Sequence, residues 1–267
     1  MGHPSWQPEP PAAESPSILS KAFDLLRAFN PYERVMTLSE LARASGLPKS
    51  TVHRLLARLV ELGAVEHHRS GYKIGLGLLQ LGASTPAGYM RDIALPYLAS
   101  LQQWTRLTVH FGVLRQYDVV YLEKLGPPDS PSTIAGIGSR LPANCTALGK
   151  ALLAFENLDD LEAFLPSPLP RMTTKSVTDV STLLRQLRTV REEGIAREQE
   201  EAQRGLACVA VPILMNGFAV GALSVGRPAD TDSDGRVEQA LRATAAKISA
   251  DVQAGISQGR DHWFPRE

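Results

Sequence analysis

The sequence predicts an α+β chain of two domains: three helices and a short β-hairpin first, then a mostly antiparallel sheet flanked by helices. Three observations carry this reading. Amphipathic helical stretches flank the turn Gly46-Leu47-Pro48, with two short strand-like runs behind them. Strand-like runs then recur between Thr108 and Val225 among further helical stretches. Finally, 267 residues suit two ordinary domains, and 43% hydrophobic with 21% charged residues is an ordinary globular balance.

Taken in order, residues 1–16 are polar and rich in proline (Pro4, Pro8, Pro10, Pro11, Pro16), which reads as a disordered tail rather than a signal segment. Ser17 is an N-cap, and Leu19, Ala22, Phe23, Leu26 and Phe29 share one face of the helix behind it, which Asn30-Pro31 stops. Thr37 opens a second helix with Glu40 three residues on, a capping box that satisfies two free backbone donors. A third helix spans Lys49 to Leu62 and ends at Gly63. It buries Val52, Leu55, Leu56, Leu59 and Leu62 and leaves Ser50, Thr51, His53, Arg54 and Arg58 outside. Residues 64–68 and 71–75 form a hairpin around Arg69-Ser70. This succession is a winged helix-turn-helix, three helices plus a β-wing, placed at residues 17–82.

Helical patterns at 76–81 and 88–104, the second kinked or restarted at Pro96, supply a linker helix at 83–105. Strands are expected at 108–114, 119–125 and 133–137, and helices at 146–155, 158–164 and 180–193. The apolar stretch 208–225 is broken by Pro212 and by Asn216-Gly217, a strong hairpin turn, so it reads as two strands and not a membrane span. A last helix carries Val237, Leu241, Ala245, Ile248, Val252 and Ile256 on one face. The second domain is thus an α+β unit at residues 106–258, with a C-terminal tail at 259–267. Two cysteines, Cys145 and Cys208, are too few for a disulfide framework, which suits a reducing cytoplasm.

Net charge is zero, yet between Arg43 and Lys73 the bases Arg43, Lys49, Arg54, Arg58, Arg69 and Lys73 face only Glu61 and Glu66. Ala42 is small where the two helices would cross, and Gly46 can take the positive φ of the bend. Leu41, Leu47, Val52 and Leu55 seal the wedge, which turns the start of the third helix outward. Ser50, Thr51, His53 and Arg54 then suit base edges in a major groove, and Lys49, Arg58, Arg69 and Lys73 suit phosphates. A charged helix face is by itself usually only solvated, but the capping box, the Ala and Gly in step and the basic hairpin together favour double-stranded DNA as partner. Neighbouring strand residues point to opposite faces, so His67 and His68 make no metal pair, and neither a metal nor a cofactor is expected.

The stretch 47–56, Leu-Pro-Lys-Ser-Thr-Val-His-Arg-Leu-Leu, is similar to the recognition-helix segment of the IclR-type bacterial transcription regulators. So are 142–154, Pro-Ala-Asn-Cys-Thr-Ala-Leu-Gly-Lys-Ala-Leu-Leu-Ala, and the segments 191–194, 205–210 and 221–225. The resemblance runs from Ser17 to Pro228. It implies a GAF-like effector-binding domain, a homodimer or dimer of dimers, and control of an operon, by repression or activation, in response to a small metabolite, often a carboxylate or an aromatic. Asn144 stands where the family often has His, and Gly226 where a second Ser often follows the one at Ser224, so fewer side-chain donors are expected in the pocket. The loop 138–145 leading into a helix at Thr146 offers backbone N–H groups to a carboxylate. Asn144, Cys145, Thr146, Ala147, Cys208 and Ser224 are the expected effector contacts, although cysteine and serine in such runs are more often plain core residues. Two rival readings are weaker. An enzyme with Cys145 as nucleophile and His110 as base lacks any supporting motif, and a protein-binding winged helix would not need the basic bias.

Overall fold

The computed structural model describes residues 17–29, 35–127, 134–231 and 235–255; the expected tails, the Asn30-Pro31 stop, Thr133 and Ile256 lie outside them. The chain divides into two compact units, Met1–Ser84 and Thr85–Glu267.

The first unit contains α1 (Ile18–Arg27), α2 (Leu38–Ser45), α3 (Lys49–Glu61), β1 (Val65–His68), β2 (Gly71–Ile74) and α4 (Leu76–Ala83). The caps are those the sequence specifies. Ser17 Oγ accepts from Ser20 N–H at 3.1 Å. At α2, Thr37 Oγ1 accepts from Glu40 N–H at 3.3 Å while Thr37 N–H donates to Glu40 Oε2 at 2.8 Å. Gly46 ends α2 at φ 68°, where a side chain would be strained. Leu25, Leu41, Ala42, Val52, Leu55, Leu56, Leu59 and Val65 close the core. The expected inner face of α1 needs correcting, since Leu25 is its buried residue while Leu19 and Phe23 are exposed. Leu62, expected inside, is exposed as the C-cap of α3.

The second unit opens with α5 (Pro86–Thr105), which Thr85 caps by accepting Gly88 N–H at 3.1 Å. The expected linker stretch therefore divides: Ala83 ends α4 in the first unit, and α5 packs Met90, Ala94, Leu98 and Leu101 into the core of the second. Trp104, near the end of the same helix, is exposed. The strands are β3 (Thr108–Arg115), β4 (Asp118–Leu125), β5 (Arg140–Pro142), β6 (Ala196–Gln199), β7 (Leu206–Met215) and β8 (Phe218–Pro228). They form one antiparallel sheet in the order β5-β4-β3-β8-β7-β6. The hairpin at Asn216-Gly217 has both residues at positive φ, 50° and 83°.

Of the strand expected at 133–137, the described residues 134–137 form no strand. Residues 136–139 instead turn, with Ser139 Oγ bonded to Gly136 and Gly138 N–H donating to Tyr121 O, and pairing with β4 resumes only at β5. The remaining helices are α6 (Ala147–Leu153), α7 (Leu158–Phe164), α8 (Val180–Glu193) and α9 (Gly235–Gly255). Helices α5 and α9 cover one face of the sheet with Phe111, Val209, Val211, Leu223 and Val225 beneath them. Helices α6 and α8 cover the other, over Tyr121, Ala210 and Ala222. On the first face Arg91 Nη2 reaches the buried Glu123 Oε2 at 2.7 Å and ties α5 to β4.

Candidate functional site

In the first unit the buried residues Val52, Leu55, Leu56 and Leu59 fix which side of α3 faces out. Lys49, Ser50, His53, Arg54 and Arg58 are exposed and Thr51 is half-exposed, so the short donors and cations expected at base edges share one outward surface. Pro48 precedes the helix and makes no side-chain cap, so the first turn of α3 keeps backbone N–H groups free of a capping side chain. On the wing, Arg69 is exposed in the turn and Lys73 is half-exposed. Two of the expected phosphate contacts already hold carboxylates: Arg58 pairs with Glu61, and Lys73 Nζ lies 2.9 Å from Glu66 Oε2. Such exposed pairs are weak and salt-screened, so a phosphate can compete for both cations. The wing histidines have local contacts, His67 packing at a tilt against Tyr72 with centroids 4.9 Å apart and His68 Nδ1 meeting Ser70 Oγ at 3.1 Å. Among the described residues no three His, Cys, Asp or Glu side chains are grouped to hold a metal.

In the second unit a cavity of about 20 Å³ lies between the sheet and the start of α6. Of the expected effector contacts it brings together Thr146, Ala147, Cys208 and Ser224. It does not include Asn144 and Cys145. The 3-10 turn Ala143–Cys145 rotates both toward the 170–177 loop, where Asn144 Nδ2 donates to Pro170 O and Val177 O at 2.8 Å each, and Cys145 Sγ donates to Pro170 O at 3.4 Å. Thr146 also has a structural task, its Oγ1 accepting Gly149 N–H at 2.9 Å. A Cβ on Gly149 would sit 2.2 Å from Ala143 O, so only glycine lets α6 pack on that turn.

Sequence reasoning missed the other polar residues of the lining: Tyr121 from β4, Glu198 from β6 and His110 from β3, the last weighed only as a base. Cross-strand register brings them in, since Glu198 is opposite Cys208 and His110 opposite Ser224. His110 and Glu198 are 3% and 4% exposed. Burial, aided by Lys124, pushes His110 down to about 4, and burial pushes Glu198 up to about 7 against the Glu201 N–H that it accepts at 2.9 Å. At neutral pH the His110 imidazole is therefore uncharged, while the Glu198 carboxyl is near the midpoint of its titration. Burial also raises both thiols above their ordinary range, with Glu198 adding to the effect at Cys208, so neither is poised as a thiolate. Beneath the cavity Lys150 Nζ meets Glu201 Oε1 at 2.6 Å, joining α6 to the loop whose Ala202 lines it.

Comparison with known proteins assigns both units. Residues 18–69 match the IclR helix-turn-helix domain and residues 88–250 the bacterial transcriptional regulator IclR C-terminal domain. The chain is 32% identical to the HTH-type transcriptional regulator KdgR of Escherichia coli over 251 residues, which cover 90% of this chain and 94% of that protein. It is 31% identical to the glycerol operon regulatory protein of Streptomyces coelicolor over 246 residues, 89% of this chain and 96% of that one. Among solved structures, an IclR homolog from Microbacterium hydrocarbonoxydans complexed with 4-hydroxybenzoate superposes with a TM-score of 0.81 at 30% identity, covering 89% of this chain and 100% of that one.

Proposed function

The chain belongs to the IclR family of bacterial transcriptional regulators, and on that premise we propose that its DNA-binding and effector-binding functions reside in the two surfaces just described. It is a DNA-binding transcription regulator, not an enzyme, and a small molecule modulates it. The observation that carries the assignment of residues is the outward face of α3. The apolar wedge beneath it leaves Ser50, Thr51, His53 and Arg54 to read base edges, while Lys49, Arg58, Arg69 and Lys73 engage the phosphates.

The effector binds where Thr146, Ala147, Cys208 and Ser224 meet, and is a small organic acid or aromatic metabolite. Two features support this reading: the buried polar lining, and the 4-hydroxybenzoate bound by the similar Microbacterium protein. At about 20 Å³ the cavity holds roughly one water, so a ligand of that size must displace the lining. The regulator works in the cytoplasm as a homodimer or dimer of dimers. Self-association is supported by exposed apolar residues on two helices of the first unit, Ile18, Leu19 and Phe23 on α1 and Leu76, Leu79 and Leu81 on α4. No described helix is long and apolar enough to cross a membrane.

The test is fluorescence anisotropy with DNA from the chain's own upstream region, with and without a panel of small carboxylic and aromatic acids. The expected result is salt-dependent, sequence-specific binding that an acid shifts in the wild type and not in Ser224→Leu, whose added bulk fills the cavity. Binding without salt dependence, or an equal shift in the variant, contradicts the assignment.

A further inference from the structure

Two atoms in the effector cavity are buried without a hydrogen-bond partner: His110 Nε2 and Glu198 Oε1. Such groups cost free energy unless something else satisfies them, and here both belong to residues lining one cavity. They stand toward opposite ends of a polar row laid out by the sheet register. Glu198 is opposite Cys208, Cys208 opposite Gly226, and His110 two residues along β3 from Thr108, the partner of Gly226. The strands of Glu198 and His110 are three ladder steps of about 4.8 Å apart, a gap that the two side chains close only in part.

Gly226 lies at the centre of the row. A Cβ there would sit 3.4 Å from Cys208 Sγ and 3.9 Å from His110 Cε1, so the imidazole leans over the glycine toward the thiol. The ends of the row differ in character. At one end His110 is paired across the strands with Lys124 and packs its ring edge-on against Tyr121 at 5.5 Å, while the other ends in a carboxyl group. Lys150, the buried cation nearby, is committed to Glu201.

Building on the effector site proposed above, we infer that His110 is a specificity-determining residue, selecting a small hydroxy acid whose carboxylate lies at its imidazole and whose hydroxyl donates to Glu198 Oε1. Burial and Lys124 keep the imidazole on its own neutral, and a carboxylate at Nε2 supplies the counter-charge with which the ring can take a proton and hold the anion. Glu198 Oε1 is an acceptor awaiting a donor. This orientation puts the acid over Gly226 and away from the start of α6.

The experiment is calorimetric titration of the full chain with two hydroxy acids, 4-hydroxybenzoate and lactate. Benzoate and propanoate serve as counterparts without the hydroxyl, and 4-hydroxybenzyl alcohol and 1,2-propanediol as counterparts without the carboxylate. The wild type should bind at least one hydroxy acid about tenfold or more tightly than either counterpart, as expected for one lost charge-assisted or buried hydrogen bond. His110→Leu should lose the preference for the carboxylate and keep that for the hydroxyl, and Glu198→Met should do the reverse. A purely structural role would weaken all ligands alike. Gly226→Ser is the second test: its Cβ makes ordinary contacts, and its hydroxyl can occupy the imidazole, so the carboxylate preference should shrink without unfolding. Failure of the wild type to bind either hydroxy acid, equal affinity for the counterparts, or an unchanged carboxylate preference in His110→Leu overturns the inference. Operator binding in the same samples keeps the two readings apart. If operator binding is present and the preferences are absent, only the role of His110 falls; if operator binding is absent, the regulator assignment and the inference fall together.

Discussion

Lys150→Met should destabilise the second unit as much as a large core truncation does, although it removes little volume. Lys150 and Glu201 are in contact at 2.6 Å with side chains only 2% and 10% exposed. Glu201 Oε2 already lacks a partner, so the lysine is the main compensation for that carboxylate. Removing one member of a buried pair costs about 3–5 kcal/mol, because the remaining charge keeps its desolvation penalty. Methionine preserves most of the apolar stem, so lost packing adds little. With a urea dependence of about 2 kcal/mol per M, the unfolding midpoint followed by circular dichroism should fall by roughly 1.5–2.5 M. The double variant Lys150→Met/Glu201→Met should recover most of the loss, giving a coupling of about 2 kcal/mol or more. A Lys150→Met protein within about 1 kcal/mol of wild type, or a double variant as unstable as the two singles summed, refutes the reasoning.

The two perturbed groups of the cavity oppose each other in pH. Folded His110, at about 4, binds fewer protons than its unfolded form up to 6.5, so its contribution rises with pH across that window. Folded Glu198, at about 7, holds a proton that its unfolded form releases near 4.5, so its contribution falls with pH over that interval. Glu198→Gln should therefore expose a stability that rises with pH to about 6.5, and His110→Leu one that falls until about 7, both read from urea midpoints; parallel profiles for the two variants would contradict the assignment. Thr37→Ala should cost about 1 kcal/mol in thermal unfolding while Thr37→Ser costs little, since the hydroxyl caps Glu40 N–H; equal losses would remove the cap from the account. Arg58→Ala and Lys73→Ala should each weaken binding to all DNA sequences and reduce the salt slope by about one, and an unchanged slope removes that residue from the phosphate contacts.

The first unit was largely legible because its determinants are local. The capping box, the left-handed Gly46 and the helical periodicity of α3 each act within a few residues, and so does the turn of the wing. Helix α1 was read less well. Its periodicity marks an apolar face, but periodicity cannot say which part of that face the same chain covers, and the exposed Leu19 and Phe23 shift the core toward Leu25. In the second unit β6 escaped notice because its short run Ala196-Arg-Glu-Gln buries a carboxylate on alternate positions, which reads as polar loop. Short β5 was displaced by a glycine turn in the same way. The cavity was half legible. Thr146, Ala147, Cys208 and Ser224 sit in recognisable segments, whereas Tyr121, Glu198 and His110 join through pairings between distant strands that no local pattern encodes. Asn144 and Cys145 are expected contacts from the family resemblance and from the loop that leads into Thr146, and one 3-10 turn is enough to aim them elsewhere.

Footprinting of Arg54→Ala and His53→Ala on the upstream DNA, at physiological salt, tests the central claim most directly. Both side chains are exposed on α3 while Val52 and Leu55 are buried beneath them, so neither substitution touches the core. Each lost base contact should cost about 1–3 kcal/mol of discrimination, which dissolves the specific footprint while non-specific, salt-dependent binding, fold and assembly persist. Full protection of the same site by both variants would show that α3 does not read the DNA.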